Sequence, residues 1–115
     1  MRRGEIRWIA LDAPGSRHTR AQRPAVIVSN DGANAAAARR GAGVVTVVPL
    51  ITSSTPPKAF HVAIPAGVAG LPRDAKAVAE QVRTVASGRV GPSIGTVPIT
   101  YMHHIDEALR RHLGL

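Results

Sequence analysis

Few side chains in this chain of 115 residues could do chemistry, and they stand far apart in sequence. Arg23 precedes Pro24 and the apolar run Val26-Ile27-Val28. A guanidinium grips phosphate through a planar fork of donors, and the mouth of a core strand is a place where rigid scaffolds hold functional groups. Taken alone, the run favours the plainer reading of Arg23 as a solvated charge closing a strand. Glu80 alternates with Val78 and Val82. A carboxylate on an apolar face either has a partner or holds its proton more tightly; an edge or bulge that lets it reach water is an equal alternative. Of the five histidines, His103 and His104 are adjacent and cannot share one helix face around a metal. No metal-ligand spacing, glycine-rich phosphate loop or nucleophile elbow is present. Cysteine is absent, which excludes disulfides and thiolate metal sites. No metal and no cofactor is expected.

The elements that must position these groups are short. Glu5 to Leu11 reads as a first strand, with Ile6, Trp8 and Ala10 on one face. Asp12 to Gln22 is a basic loop with Arg17, His18 and Arg20, longer than a hairpin needs. Pro24 to Ser29 is the second strand, and Asp31 to Arg40 a short helix on an alanine run, with Arg39 and Arg40 suiting its C-terminal end. Val44 to Thr52 is the strand richest in β-branched residues, with a bend or bulge expected at Pro49. Phe60, Val62 and Ile64 give a half-buried strand on which His61 faces outward and reads as solvated. Lys76 to Ala86 reads as one long last strand and Ser87 to Pro98 as Gly/Pro-rich connection. Met102, Ile105, Leu109 and Leu113 mark an amphipathic C-terminal helix. The sum is a single domain over 1–115, mainly β: a small five-stranded barrel with one short and one longer helix.

Fifteen basic residues face seven acidic ones, for a net charge of +8. Only Lys58 and Lys76 are lysine. A GC-rich genome explains arginine over lysine but not the scarcity of acids. A nucleic acid is the natural partner, and an acidic protein fits as well. Trp8, Phe60 and Tyr101 are too few for a base-stacking platform, so binding rests on charge and hydrogen bonds. No apolar run is long enough for a membrane span, no secretory signal is evident, and the cytoplasm is compatible.

Four pieces align in order: Arg2-Arg3-Gly4-Glu5-Ile6, Arg23-Pro24-Ala25-Val26-Ile27-Val28-Ser29-Asn30-Asp31, Val48-Pro49-Leu50-Ile51-Thr52-Ser53 and Glu80-Gln81-Val82-Arg83-Thr84. Together they resemble the MazF/PemK family of toxin endoribonucleases over nearly the whole chain. That resemblance implies an SH3-like fold of the CcdB/PemK type, a homodimer, and metal-free cleavage of single-stranded RNA. It also implies a MazE-like antitoxin whose acidic tail occupies the RNA groove, with DNA bound only together with that antitoxin.

The same resemblance assigns roles. Arg23 would stabilise the phosphorane, Thr52 would hydrogen-bond the phosphate, and Glu80 would be the general base. Ser53 would contact RNA and stands in for Thr52 if the loop is shifted by one. Arg17, His18, Arg20, Gln22 and Arg83 would grip RNA. The first loop departs from many relatives: Gly15-Ser16-Arg17-His18 lacks their glutamate, which leaves the base to His18 or Glu80, with Glu80 preferred. The alternative function is a non-catalytic nucleic-acid-binding barrel or a CcdB-like gyrase inhibitor; the joint presence of Arg23, Thr52 and Glu80 favours the nuclease.

Overall fold

The computed structural model describes residues 1–10, 22–52 and 55–115. They form β1 (Glu5–Ala10), β2 (Gln22–Ile27), α1 (Asp31–Arg40), β3 (Val44–Ile51), β4 (His61–Ile64), β5 (Ala75–Val78), β6 (Arg83–Ala86), β7 (Val90–Thr96) and α2 (Ile99–Leu113). All pairings are antiparallel. The sheet runs β4-β5-β3-β2-β1-β7, with β6 beside β3. The chain is mainly β with one short and one longer helix, as expected. It has seven strands, however, not five, and the sheet is open: among the described residues nothing pairs β7 with β4 or β6.

The two extra strands have local causes. Along one edge β3 meets two partners, β6 opposite Val44 to Val47 and β5 opposite Leu50 and Ile51. Between those partners the chain makes a single 3-10 turn, Ala79–Gln81, so the stretch expected as one long strand is two. Pro49, which has no N–H to donate, lies in the gap between the two partners. The stretch from Ser87 to Pro98, expected as connection, contains β7. Its glycines are there for close approach, not for turning. A Cβ on Gly91 would stand 2.9 Å from the Trp8 carbonyl oxygen, and one on Gly95 only 2.1 Å from that of Ala69. β7 also slips register along β1. Ile6 and Ile9 are both buried, each in the core on its own face of the sheet, while Trp8, on the Ile6 face, is 39% exposed.

Both faces of the sheet are covered. Ile6, Val26, Val48 and Leu50 pack against Met102, Ile105 and Ala108 of α2. A fully buried Ile or Met contributes about 1.5–3 kcal/mol. On the other face Ala25, Ile27, Val45, Val47 and Val85 pack with Ala37 of α1. Asn30 caps α1 by accepting from the Ala33 N–H at 2.8 Å. Gly41, at φ 62°, ends the helix in the left-handed region, with Arg39 and Arg40 in its last turn.

The residues before β1 act as a clasp. The Arg3 guanidinium donates to the Val28 carbonyl (2.9 Å) and pairs with Asp106 of α2, and its N–H donates to Asp31 at 2.7 Å. Gly4 donates to the Ile27 carbonyl at 2.7 Å and accepts from the Val97 N–H at 2.8 Å. Burial pushes the Glu5 carboxyl up, but the Arg2 N–H, the hydrogen bonds and charge of Arg7, and Ser93 outweigh it and hold the group below its ordinary value.

Candidate active site

β2 presents Arg23 opposite Ile9 of β1, and on its other side Ala25 stands opposite Pro49 of β3. That pairing is the last between β2 and β3; Arg23 lies two residues beyond it on β2, and Thr52 directly follows the end of β3, so the two stand toward the same end of neighbouring strands. Both are exposed. Among the described residues Arg23 makes no side-chain hydrogen bond and no ion pair, which leaves its donors available. The far end of the same string holds it in place. Asn34, fully buried, donates to the Ser29 carbonyl at 2.9 Å and accepts from the Ser29 hydroxyl, which in turn accepts from the Thr46 N–H at 3.1 Å. Val28 and Ser29 both donate to the Thr46 carbonyl. Residues 29–31 of the quoted string are thus structural, and only its first residue is free to act.

Glu80 is in the 3-10 turn between β5 and β6, and its nearest partner is a residue read as solvated. His61, on β4 opposite Val78, has a side chain only 10% exposed, with Nε2 at 3.5 Å from Glu80 Oε1. That carboxylate oxygen is buried and makes no hydrogen bond among the described residues. His61 Nδ1 accepts from the Lys58 N–H at 3.1 Å. The ring proton of the neutral imidazole is therefore on Nε2, facing Glu80. The expectation that His61 is solvated does not hold, because the turn after β5 folds Glu80 over it.

Arg23 and Thr52 thus stand toward one end of neighbouring strands, and Glu80 is on the other side: it lies beyond β3 from β2, beside β4. Gln22 is exposed beside Arg23 in β2, not in the loop before it. Arg83 is exposed at the start of β6, opposite Val47. Arg17, His18, Arg20 and Ser53 fall outside the described residues.

Lys76, another residue that sequence patterns pass over, is opposite Ile51 and only 6% exposed; its ammonium donates to the carbonyl and hydroxyl of Thr55. Neither His61 nor Lys76 carries a signal within its own strand. Their partners come from other segments, and the pairing register that joins them is set by a long loop. Among the described residues no three His, Asp or Glu side chains converge on one point.

An exposed guanidinium on β2 is a group that can grip a phosphate of an extended polyanion. The chain is 46% identical to endoribonuclease MazF9 of Mycobacterium tuberculosis, covering 100% of this chain and 98% of that protein. It is 34% identical to MazF6 of the same organism, over 98% of this chain and 96% of that one. Among solved structures, a mycobacterial endoribonuclease in complex with its cognate antitoxin superposes with a TM-score of 0.76 at 25% identity, covering 100% of this chain and 96% of that chain. The fold is also that of MazE–MazF from Deinococcus radiodurans, at a TM-score of 0.74 and 21% identity, with 100% and 96% covered. The profile of the family described as PemK-like, MazF-like toxin of type II toxin-antitoxin system matches residues 2–113. The chain belongs to that family.

Proposed function

We propose that this chain cuts single-stranded RNA without a metal, with Arg23 and Thr52 holding the reacting phosphate and Glu80 or His18 taking the proton. Its family membership makes it a MazF-type endoribonuclease toxin of a toxin-antitoxin system. The observation that carries the finer reading is Arg23: an exposed guanidinium with no partner among the described residues, one strand from Thr52.

In the proposed reaction the ribose 2′-oxygen attacks phosphorus while its proton passes to the base, Glu80 or His18 of the first loop. The bond from phosphorus to the 5′-oxygen breaks, and water returns a proton to that leaving oxygen. Arg23 neutralises the additional negative charge of the phosphorane, and the Thr52 hydroxyl donates to one of its oxygens. The products are a 2′,3′-cyclic phosphate and a 5′-hydroxyl. Gln22, Arg83, Ser53 and the basic first loop, with Arg17, His18 and Arg20, hold the flanking nucleotides. The excess of basic residues favours this polyanion and equally the acidic tail of a MazE-like antitoxin. The reading includes a homodimer, action in the cytoplasm, and DNA contact only in the antitoxin complex. Among the described residues no helix is long and apolar enough to cross a membrane.

The test is to incubate the purified chain with mRNA in EDTA and map the ends by primer extension. Discrete cuts with 5′-hydroxyl ends are expected. Intact RNA alongside inhibited gyrase would overturn the reading in favour of a gyrase inhibitor. The base is tested separately from the phosphate grip, because the two stand on different strands: Glu80→Gln should lower the rate of the chemical step and leave RNA binding unchanged.

A further inference from the structure

We infer that His61 is a positioning residue that aims the Glu80 carboxylate; this rests on the reading of Glu80 as the base. Glu80 sits in a single 3-10 turn, which by itself fixes a long side chain poorly. One of its oxygens, Oε1, is buried without a hydrogen bond, and His61 Nε2 stands 3.5 Å from it. A buried carboxylate oxygen costs free energy unless a polar partner is near, and the imidazole supplies that neighbour. The imidazole is itself fixed from behind: the Lys58 N–H donates to Nδ1 at 3.1 Å, and His61 opposite Val78 locks its place in the β4/β5 ladder. Glu80 has a side chain 32% exposed, against 10% for His61. Thus Oε1 is tied inward to the histidine, and the carboxylate retains an accessible part that can accept a proton. The chain Lys58 N–H to His61 to Glu80 is a backbone-anchored arm ending in a carboxylate, the arrangement by which enzymes hold a base in one direction. His61 does not need to touch RNA to act.

The experiment is a double-mutant cycle on the full-length protein, with single-turnover cleavage in EDTA of an RNA fragment carrying a mapped cut site. Misplacing a catalytic group by about 1 Å costs on the order of 100-fold. His61→Ala should therefore lower the single-turnover rate by roughly that factor, with the concentration of enzyme at half-saturation unchanged. Added to Glu80→Ala, the same change should cost nothing more, because the arm no longer has a base to aim. His61→Gln, whose amide can still donate to Glu80, should recover most of the rate. The melting temperature of each variant is measured alongside. Equal losses from His61→Ala in the presence and absence of Glu80 would overturn the inference, as would wild-type cleavage by His61→Ala. If Glu80→Ala cleaves normally, the base assignment and this inference both fall, whereas Arg23 and the nuclease reading stand or fall on their own variants. Should His61→Ala fail to fold, His61→Gln and His61→Asn decide: the longer amide must outperform the shorter one.

Discussion

Replacing Arg23 separates function from folding more cleanly than any other change in this chain. The side chain is exposed, and among the described residues it makes no hydrogen bond or ion pair. Its backbone remains in the ladder opposite Ile9 of β1, and alanine can occupy that place. Stability should therefore move by no more than about 0.5 kcal/mol, the range of surface substitutions without partners. At about 4 °C per kcal/mol for a domain near this size, the melting temperature shifts by roughly 2 °C. The rate should respond far more. Removing one preorganised donor from developing charge costs on the order of 10²- to 10³-fold, or about 2.7–4 kcal/mol of barrier. Arg23→Lys keeps the charge but loses the fork, and should fall between, about 10- to 100-fold below the parent, the size of one charged hydrogen bond. The assay is single-turnover cleavage of an RNA with a mapped site, run beside thermal denaturation. Cleavage by Arg23→Ala at the parental rate would refute the phosphate-gripping role. A melting temperature lowered by about 10 °C would equally refute the argument, since it would make Arg23 a structural residue.

Three further outcomes are expected. Asn34→Ala, which removes the acceptor of the Ser29 hydroxyl and the buried donor to the Ser29 carbonyl, should destabilise by about 2–4 kcal/mol; urea unfolding should show a lower midpoint at unchanged slope. Gly95→Ala drives a Cβ to 2.1 Å from the Ala69 carbonyl oxygen, backbone against backbone, and should prevent β7 from seating; a soluble protein with the parental melting temperature would contradict the close-approach reading. Glu5, held below its ordinary value in the fold, contributes stability that is complete above the ordinary carboxylate range and is lost as pH falls through its folded value. Glu5→Gln should therefore be less stable than the parent at neutral pH and lose less on acidification, and parallel stability curves from pH 7 to 3 would count against it.

Single elements with strong local patterns were legible in the sequence. The alanine run gave α1, the i, i+3, i+4 spacing gave α2, and the β-branched runs gave β2 and β3. What periodicity does not encode is where one strand changes partners. The division between β5 and β6 follows from β3 pairing with both, a fact about three segments at once. β7 was obscured because glycine means a turn in most contexts, and only the approach of the Trp8 and Ala69 carbonyls shows why Gly91 and Gly95 lie within or beside a pairing. At the site, Arg23 and Thr52 stood out through the family resemblance, since the run alone favoured a solvated Arg23. His61 was misjudged because alternation tells which way a side chain leaves its strand, not what a distant turn lays over it.

The clasp before β1 has a consequence for the order in which the molecule can be completed. Arg3 reaches Asp106, Gly4 reaches Val97, and β1 takes β7 as its outer neighbour. Contacts that join the first residues made to nearly the last give a high contact order and late closure. A chain still attached to the ribosome has β1 with one edge unpaired, an invitation to wrong partners. Vectorial synthesis therefore leaves this fold unfinished until α2 has been made and can pack.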